Sequence, residues 1–228
     1  MNYLSLFSGA GGFEWFGKLM GWHCVGYVEK DEYCQKVLRA RIRDGYFDDA
    51  PIFSDVRTFD GLPYRGKVDC ITAGFPCQFF SSATRGRGIS RKNLWNDTAR
   101  IIYEISAPEV FLENVSKKAI NFAAGDLERM GYCVKRTAVS ARNMGADHVR
   151  KRFWLRAYSN SNGELCGTVD AEMGRCKTIH PGIWKADPAQ LRVSHGLAAW
   201  SHRLRALGNG IVPAVACEAW RRLNGDTT

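Results

Sequence analysis

The chain has 228 residues, is 45% hydrophobic, and carries 32 Lys+Arg against 23 Asp+Glu for a formal charge of +9. That apolar fraction supports one substantial core and excludes a disordered or fibrous chain, while the positive surplus favours a polyanionic partner, nucleic acid ahead of an acidic membrane surface. No run approaches the roughly 18 apolar residues of a membrane span, and the opening MNYLSLFSGAGGFEW lacks the basic region and long apolar run of a signal peptide, so a cytoplasmic location and no membrane partner are expected.

The elements alternate between short runs rich in β-branched and aromatic residues and longer stretches of helical period, the pattern of an α/β fold with a parallel sheet. Tyr3 to Phe7 reads as a first strand, Gly12 to Met20 as a helix with Phe13, Phe16 and Leu19 or Met20 on one face, and Cys24 to Val28 as a second strand. A helix follows from Asp31 to Arg43. Ile52 and Phe53 form a weak third strand before Asp55, and Val68 to Ala73 a fourth that runs into Gly74-Phe75-Pro76-Cys77. Leu94 to Ser106 reads as helix, Val110 to Glu113 as a fifth strand, and Ile120 to Met130 as a helix ending at Gly131. Cys133 to Ala141 and Arg152 to Tyr158 pair as antiparallel strands. From Ser159 to Pro188 the chain is punctuated by Gly, Ser, Asn and Pro and reads as an irregular insert or a mobile surface loop. Periodicity returns with Val212 to Leu223, a helix carrying Pro213 in its first turn.

The eight cysteines read as reduced thiols, since a chain of this length needs no disulfide framework. There is no C-x-x-C pair. Cys166, Cys176 and His180 fit no common zinc spacing, so no metal is expected.

Several strand ends carry candidate chemistry. Leu4 to Gly12 joins strand to helix through a glycine-rich turn that lets backbone approach a ligand, or serves only as tight packing. Glu29 lies 18 residues after Gly11, near the spacing of an acidic partner for ribose hydroxyls. Cys77, just past a strand end behind Pro76, is placed as a nucleophile or is an inert core thiol. Arg85, Arg87, Arg91 and Lys92 follow it and could lower a thiol pKa. Glu113-Asn114-Val115 ends the fifth strand on the same edge as Glu29, Asp55 and Cys77. A partly desolvated carboxylic acid there could act as general acid toward a ring nitrogen, or be a solvated strand end. Alternation sends His148, Arg150 and Arg152 to one face, where two guanidinium forks suit phosphate or a base edge, or merely guard an exposed strand.

In order along the chain, FSGAGG at Phe7 to Gly12, Glu29, Ser54-Asp55-Val56, GFPCQ at Gly74 to Gln78, ENV at Glu113 to Val115, RxR at Arg150 to Arg152 and GNGIVP at Gly208 to Pro213 resemble the C5-cytosine DNA methyltransferases. The resemblance implies a Rossmann-like mixed sheet of the S-adenosylmethionine-dependent methyltransferase type with a small inserted recognition region. It divides the chain into a catalytic and cofactor-binding core at 1–158, a short target-recognition insert at 159–190 and a returning segment at 191–228. It implies a target cytosine flipped out of duplex DNA, attacked at C6 by Cys77, assisted at N3 by Glu113, and methylated at C5 from S-adenosylmethionine, leaving S-adenosylhomocysteine. Arg152 would contact the base carbonyl, Arg150 would brace the Cys77 loop, and Asn114 would hold neighbouring backbone.

Phe7, Gly9, Gly11, Glu29, Asp55, Val56, Pro76, Leu94 and Asn209 match cofactor-pocket positions, and the final helix should therefore pack beside the first. Gln78, Arg85, Arg87, Arg91 and Lys92 match the DNA-closing loop, while Arg175, Lys177, His180 and Trp184 are available in the recognition insert. Departures from the family are His148 for Gln, Thr84 after Ala83 where Gly is common, Lys30 for an aromatic, and Arg156 in an apolar segment. Extra cations near the pocket would suit a carboxylated S-adenosylmethionine. RNA methylation, a DNA-binding remnant without turnover and a dinucleotide oxidoreductase are the competing readings. A monomer of microbial or phage origin, of the restriction-modification type, completes the expectation.

Overall fold

The structure is a computed structural model that describes residues 1–76, 94–159 and 210–225. Its elements in chain order are β1 (Asn2–Leu6), α1 (Gly12–Met20), β2 (His23–Val28), α2 (Glu32–Arg43), β3 (Ile52–Phe53), β4 (Cys70–Gly74), α3 (Leu94–Ile105), β5 (Glu109–Asn114), α4 (Lys117–Arg129), β6 (Tyr132–Ser140), β7 (Lys151–Ser159) and α5 (Pro213–Asn224). The strands form one seven-stranded sheet in the order β3-β2-β1-β4-β5-β7-β6. β1 to β5 are mutually parallel, and β7 and β6 add an antiparallel edge.

The central strands are apolar runs rather than alternating ones because both faces of the sheet are covered. In β1, Leu4 and Leu6 face a core shared with α3 and α4, whereas Tyr3 faces one shared with α1, α2 and α5. The second core is aromatic. Phe111 stacks on Trp154 at 5.2 Å, and Trp220 of α5 meets Phe111 at 5.0 Å and Trp22 at 4.9 Å, so the last helix lies beside the first as expected.

The element types follow the sequence expectation, and the differences lie at their ends. α4 starts at Lys117, three residues before Ile120, because the Ser116 hydroxyl caps it by accepting from the Ala119 N–H at 3.4 Å. Val68 precedes β4 as a buried anchor rather than belonging to it. Short 3₁₀ turns at Leu62–Tyr64 and Ala141–Met144 carry no periodic signal in the sequence. None of the five described cysteines, at 24, 34, 70, 133 and 217, forms a disulfide.

Arg156, the departure in β7, is engaged at the end of the sheet remote from Glu113. It forks onto Glu109 at 2.8 and 2.5 Å and lies between the rings of Tyr158 and Trp220 at 4.9 and 5.1 Å. It therefore cannot recognise a carboxylated cofactor at the opposite strand end. Burial pushes the Glu109 carboxyl up, against the pull of Arg156, so removing the guanidinium strands a desolvated acid. Arg156→Ala is expected to cost about 3 kcal/mol in urea unfolding; a loss below about 1 kcal/mol would mean that the pair is in effect a surface one.

Candidate active site

The parallel strands end in register, which builds the site. Leu6 pairs with Val28 and Ala73, Val28 with Phe53, and Ala73 with Leu112. The residues just beyond that row, Phe7, Glu29, Asp55, Gly74 and Glu113, therefore emerge along one edge. The strand order reverses between β1 and β4, and in an open α/β sheet the crevice at such a switch point is the ligand site.

On the β1 side the chain turns through left-handed backbone at Phe7 (φ 55), Gly9 (φ 59) and Gly11 (φ 99). A non-glycine residue is strained there, as at Phe7, and strain of this kind marks functional turns. Among the described residues, a side chain at Gly9 would meet only the Phe7 carbonyl, at 3.9 Å, so these leave the turn open on its outer side. Gly11 offers no side-chain cap to α1, so among the described residues no capping side chain competes for the N–H groups of the first turn. The Glu29 carboxylate clamps the turn, accepting from the Gly9 N–H at 2.7 Å and the Asp31 N–H at 2.6 Å. Asp55 is committed otherwise. Its oxygens accept from Arg57 and, at 3.2 Å, from Lys30, and the Arg57 guanidinium above all holds this carboxyl well below the usual range. Val56 is buried with its carbonyl held by Arg100 at 2.8 Å, and Leu94 is half-buried at the start of α3.

On the other side, Glu113 pairs across the sheet with Trp154, so Arg152, two residues away on the same face of β7, reaches back past the end of β5. Its Nε donates to Glu113 Oε1 at 2.8 Å. Burial pushes the Glu113 carboxyl up to about 7, with the Arg152 and Arg150 guanidiniums pulling the other way. Asn114, 1% exposed, donates from Nδ2 to the Phe75 carbonyl at 2.8 Å and accepts from the Ser116 N–H at 2.9 Å. It thus ties β5 to the segment leading into Pro76, which is exposed.

The described partner of Arg150 is the Gly210 carbonyl, which accepts from Nη2 at 2.6 Å. This contact holds the segment ahead of α5 across the crevice. Next to it, Ile211 is wedged between both halves of the site: a Cβ at Gly12 would sit 2.9 Å from Ile211 Cβ, and one at Gly74 would sit 3.2 Å from its Cδ1 and 3.4 Å from Glu113 Oε2. Glycine at 12 and 74 is a matter of clearance for that side chain. Sequence reasoning passed over Ile211, although it lies within the GNGIVP signature. Cys77, Gln78, Arg85, Arg87, Arg91, Lys92, Arg175, Lys177 and Asn209 lie outside the described residues, as do Cys166, Cys176, His180 and Trp184. Among the described residues, no cluster of His, Cys, Asp and Glu could hold a metal ion, and no helix is long and apolar enough to cross a membrane.

The sheet order and the position of the crevice are those of the Rossmann-like fold shared by S-adenosylmethionine-dependent methyltransferases. Solved structures share that fold: a putative DNA modification methyltransferase from an Escherichia coli prophage (TM-score 0.56, 23% identity, 71% of this chain and 47% of that one) and DNMT2 from Spodoptera frugiperda (TM-score 0.60, 18% identity, 75% and 53%). Residues 1–186 match the family C-5 cytosine-specific DNA methylase, and the chain belongs to that family. Among curated relatives, the type II methyltransferase M.HpaII of Haemophilus parainfluenzae is 33% identical over 71% of this chain and 47% of its own length. M.CviJI of Paramecium bursaria Chlorella virus IL3A is 34% identical over 58% of this chain and 36% of its own length. The chain matches half or less of the length of these relatives.

Proposed function

We propose that the protein is a DNA (cytosine-5-)-methyltransferase that acts on a cytosine flipped out of duplex DNA, as a monomer in the cytoplasm. The observation that carries this reading is Glu113: a buried carboxyl, held beside Arg152 at the crevice, on a strand that Asn114 ties to the chain entering Pro76 and Cys77.

The described residues fit S-adenosylmethionine. The open left-handed turn and uncapped α1 suit its amino-acid end, and Glu29 retains acceptor capacity for the ribose hydroxyls. Phe7, Gly9, Gly11, Glu29, Asp55, Val56, Pro76, Leu94 and Asn209 would hold it. When bound, it supplies an electrophilic methyl group. The chain's own work is on the base. The Cys77 thiolate adds to C6. Glu113, protonated below about pH 7, donates to N3 and draws electron density through the ring toward C5. Arg152 orients that acid and meets the base carbonyl. After transfer, N3 returns its proton to Glu113, water takes the C5 proton, and Cys77 leaves as the thiolate, which restores the aromatic ring. Gln78, Arg85, Arg87, Arg91 and Lys92 close on the duplex, and Arg175 and Lys177 contact its backbone, so binding weakens with salt.

Nucleoside mass spectrometry after incubation with S-adenosylmethionine and either duplex DNA or structured RNA tests the reading. We expect 5-methylcytosine in the DNA alone; product only in RNA would overturn the substrate assignment, and no product in either from folded, cofactor-bound protein would sink the activity.

The bond from Arg150 to Gly210 should matter to the cofactor side of the crevice, because it fastens the segment that carries Ile211 and leads back to Asn209. Arg150→Ala is expected to weaken S-adenosylmethionine binding about tenfold by calorimetry, the worth of one charge-assisted hydrogen bond. An unchanged Kd would show that the segment is held without it.

A further inference from the structure

Glu14 is a buried charged residue that the proposed chemistry does not use. It lies in the first turn of α1 and is 2% exposed, and neither carboxyl oxygen has a hydrogen-bond partner among the described residues. An acid near a helix N-terminus is ordinarily a solvated complement to the dipole, whereas this one is turned inward. Its Oε2 would be 3.8 Å from a Cβ on Gly11, with the Phe47 ring closing over the same spot. The hydroxyls of Ser5 and Ser8, bonded to each other at 3.0 Å, stand near it without reaching hydrogen-bond geometry. Glu29 grips the Phe7–Gly12 turn from one side, and Glu14 backs it from the other.

Among the described residues, the groups facing Glu14 supply it with no fixed counter-ion. From β1 comes Tyr3, and from β2 come Cys24 and Tyr27; burial pushes all three upward, so they stay protonated at neutral pH. Glu29, beyond β2, carries like charge and is occupied by two backbone N–H groups. At the mouth of the adjoining pocket, Lys18 donates to the Tyr46 carbonyl at 3.0 Å and Asp48 is 3.5 Å from His23. On α5, which packs against α1, Glu218 pairs with Arg221 and Arg222. Burial, with Glu29 adding to it, pushes the Glu14 carboxyl up to about 7 against the opposing Ser5 and Ser8.

We propose that Glu14 is a positioning residue for the cofactor turn: as a neutral acid packed beside the Ser5–Ser8 hydroxyl pair it supports the left-handed backbone at Gly9 and Gly11, and its ionisation loosens that turn. The inference rests on the reading of this turn as a cofactor site. Binding then selects protonated Glu14, so affinity is full below about pH 7 and falls as pH rises through it.

The probe is S-adenosylhomocysteine, which lacks the sulfonium charge of the cofactor; the attraction of its remaining α-ammonium to an ionised Glu14 would strengthen binding as pH rises, opposite to the expected trend. Calorimetric titration from pH 6 to 8.5 should show the Kd of the parent protein rising about fivefold or more. Glu14→Gln, neutral and still a donor, should bind with an affinity near the parent's at pH 6 and keep it throughout. Its melting temperature should also exceed the parent's increasingly as pH rises, since the unfolded chain ionises Glu14 at lower pH than the folded one. A flat parent profile, or the same slope in Glu14→Gln, overturns the proposal and leaves the cofactor reading standing. No binding by either folded protein at pH 6 sinks the cofactor reading, and the proposal with it.

Discussion

Glu113→Gln is expected to lower methyl transfer by about two to four orders of magnitude, the usual worth of a positioned general acid. The substitution keeps an oxygen for the Arg152 Nε, which lies 2.8 Å from the native carboxyl, but removes the proton that N3 would receive. The pH profile separates chemistry from misplacement. Since burial holds the Glu113 proton up to about pH 7, the parent rate should fall as pH rises through that value, and the glutamine variant should lack this limb. A variant with more than a tenth of parental activity and the same alkaline limb would remove Glu113 from the mechanism.

Cys77→Ser should abolish product, with a rate loss on the order of a thousandfold or more, because a serine hydroxyl is not ionised at neutral pH and is a far weaker nucleophile than a thiolate. The change is small, and the binding groups at Phe7, Gly9 and Glu29 stand on other strands. S-adenosylmethionine affinity should therefore persist within about threefold, since no contact assigned to the cofactor is removed. Retained methylation by Cys77→Ser would refute covalent catalysis, whereas parallel loss of cofactor binding would show that the segment after Pro76 shapes the pocket rather than the reaction.

Much of the scaffold was legible because β1, β4 and β5 are buried on both faces and are written as apolar runs that stop abruptly at Phe7, Gly74 and Glu113. The edge that collects Glu29 and Glu113 follows from parallel pairing alone. What stayed hidden depended on long-range contacts or on which way a helix face turns. Gly12 reads as part of a turn, but the clearance it provides is for Ile211, far along the chain. Phe13-Glu14-Trp15-Phe16 gives no local sign that Glu14 is buried while Trp15 is 36% exposed. Arg156 reads as an oddity in an apolar strand until Glu109 and Trp220 are placed around it. The hydrogen bond from Arg150 to Gly210 spans 60 residues and leaves no periodic trace.

The wedge of Ile211 and the packing of Trp220 on Trp22 and Phe111 also bear on how the chain comes to be folded. Synthesis runs from β1 toward α5, so the aromatic surface of α1 and the sheet emerges from the ribosome long before the helix that covers it. Contacts this distant in sequence close late and slowly, and until they close a nascent chain presents Phe16, Trp22 and Phe111 to its surroundings. The interval before α5 arrives is thus the period in which the partly made chain exposes the most aggregation-prone surface.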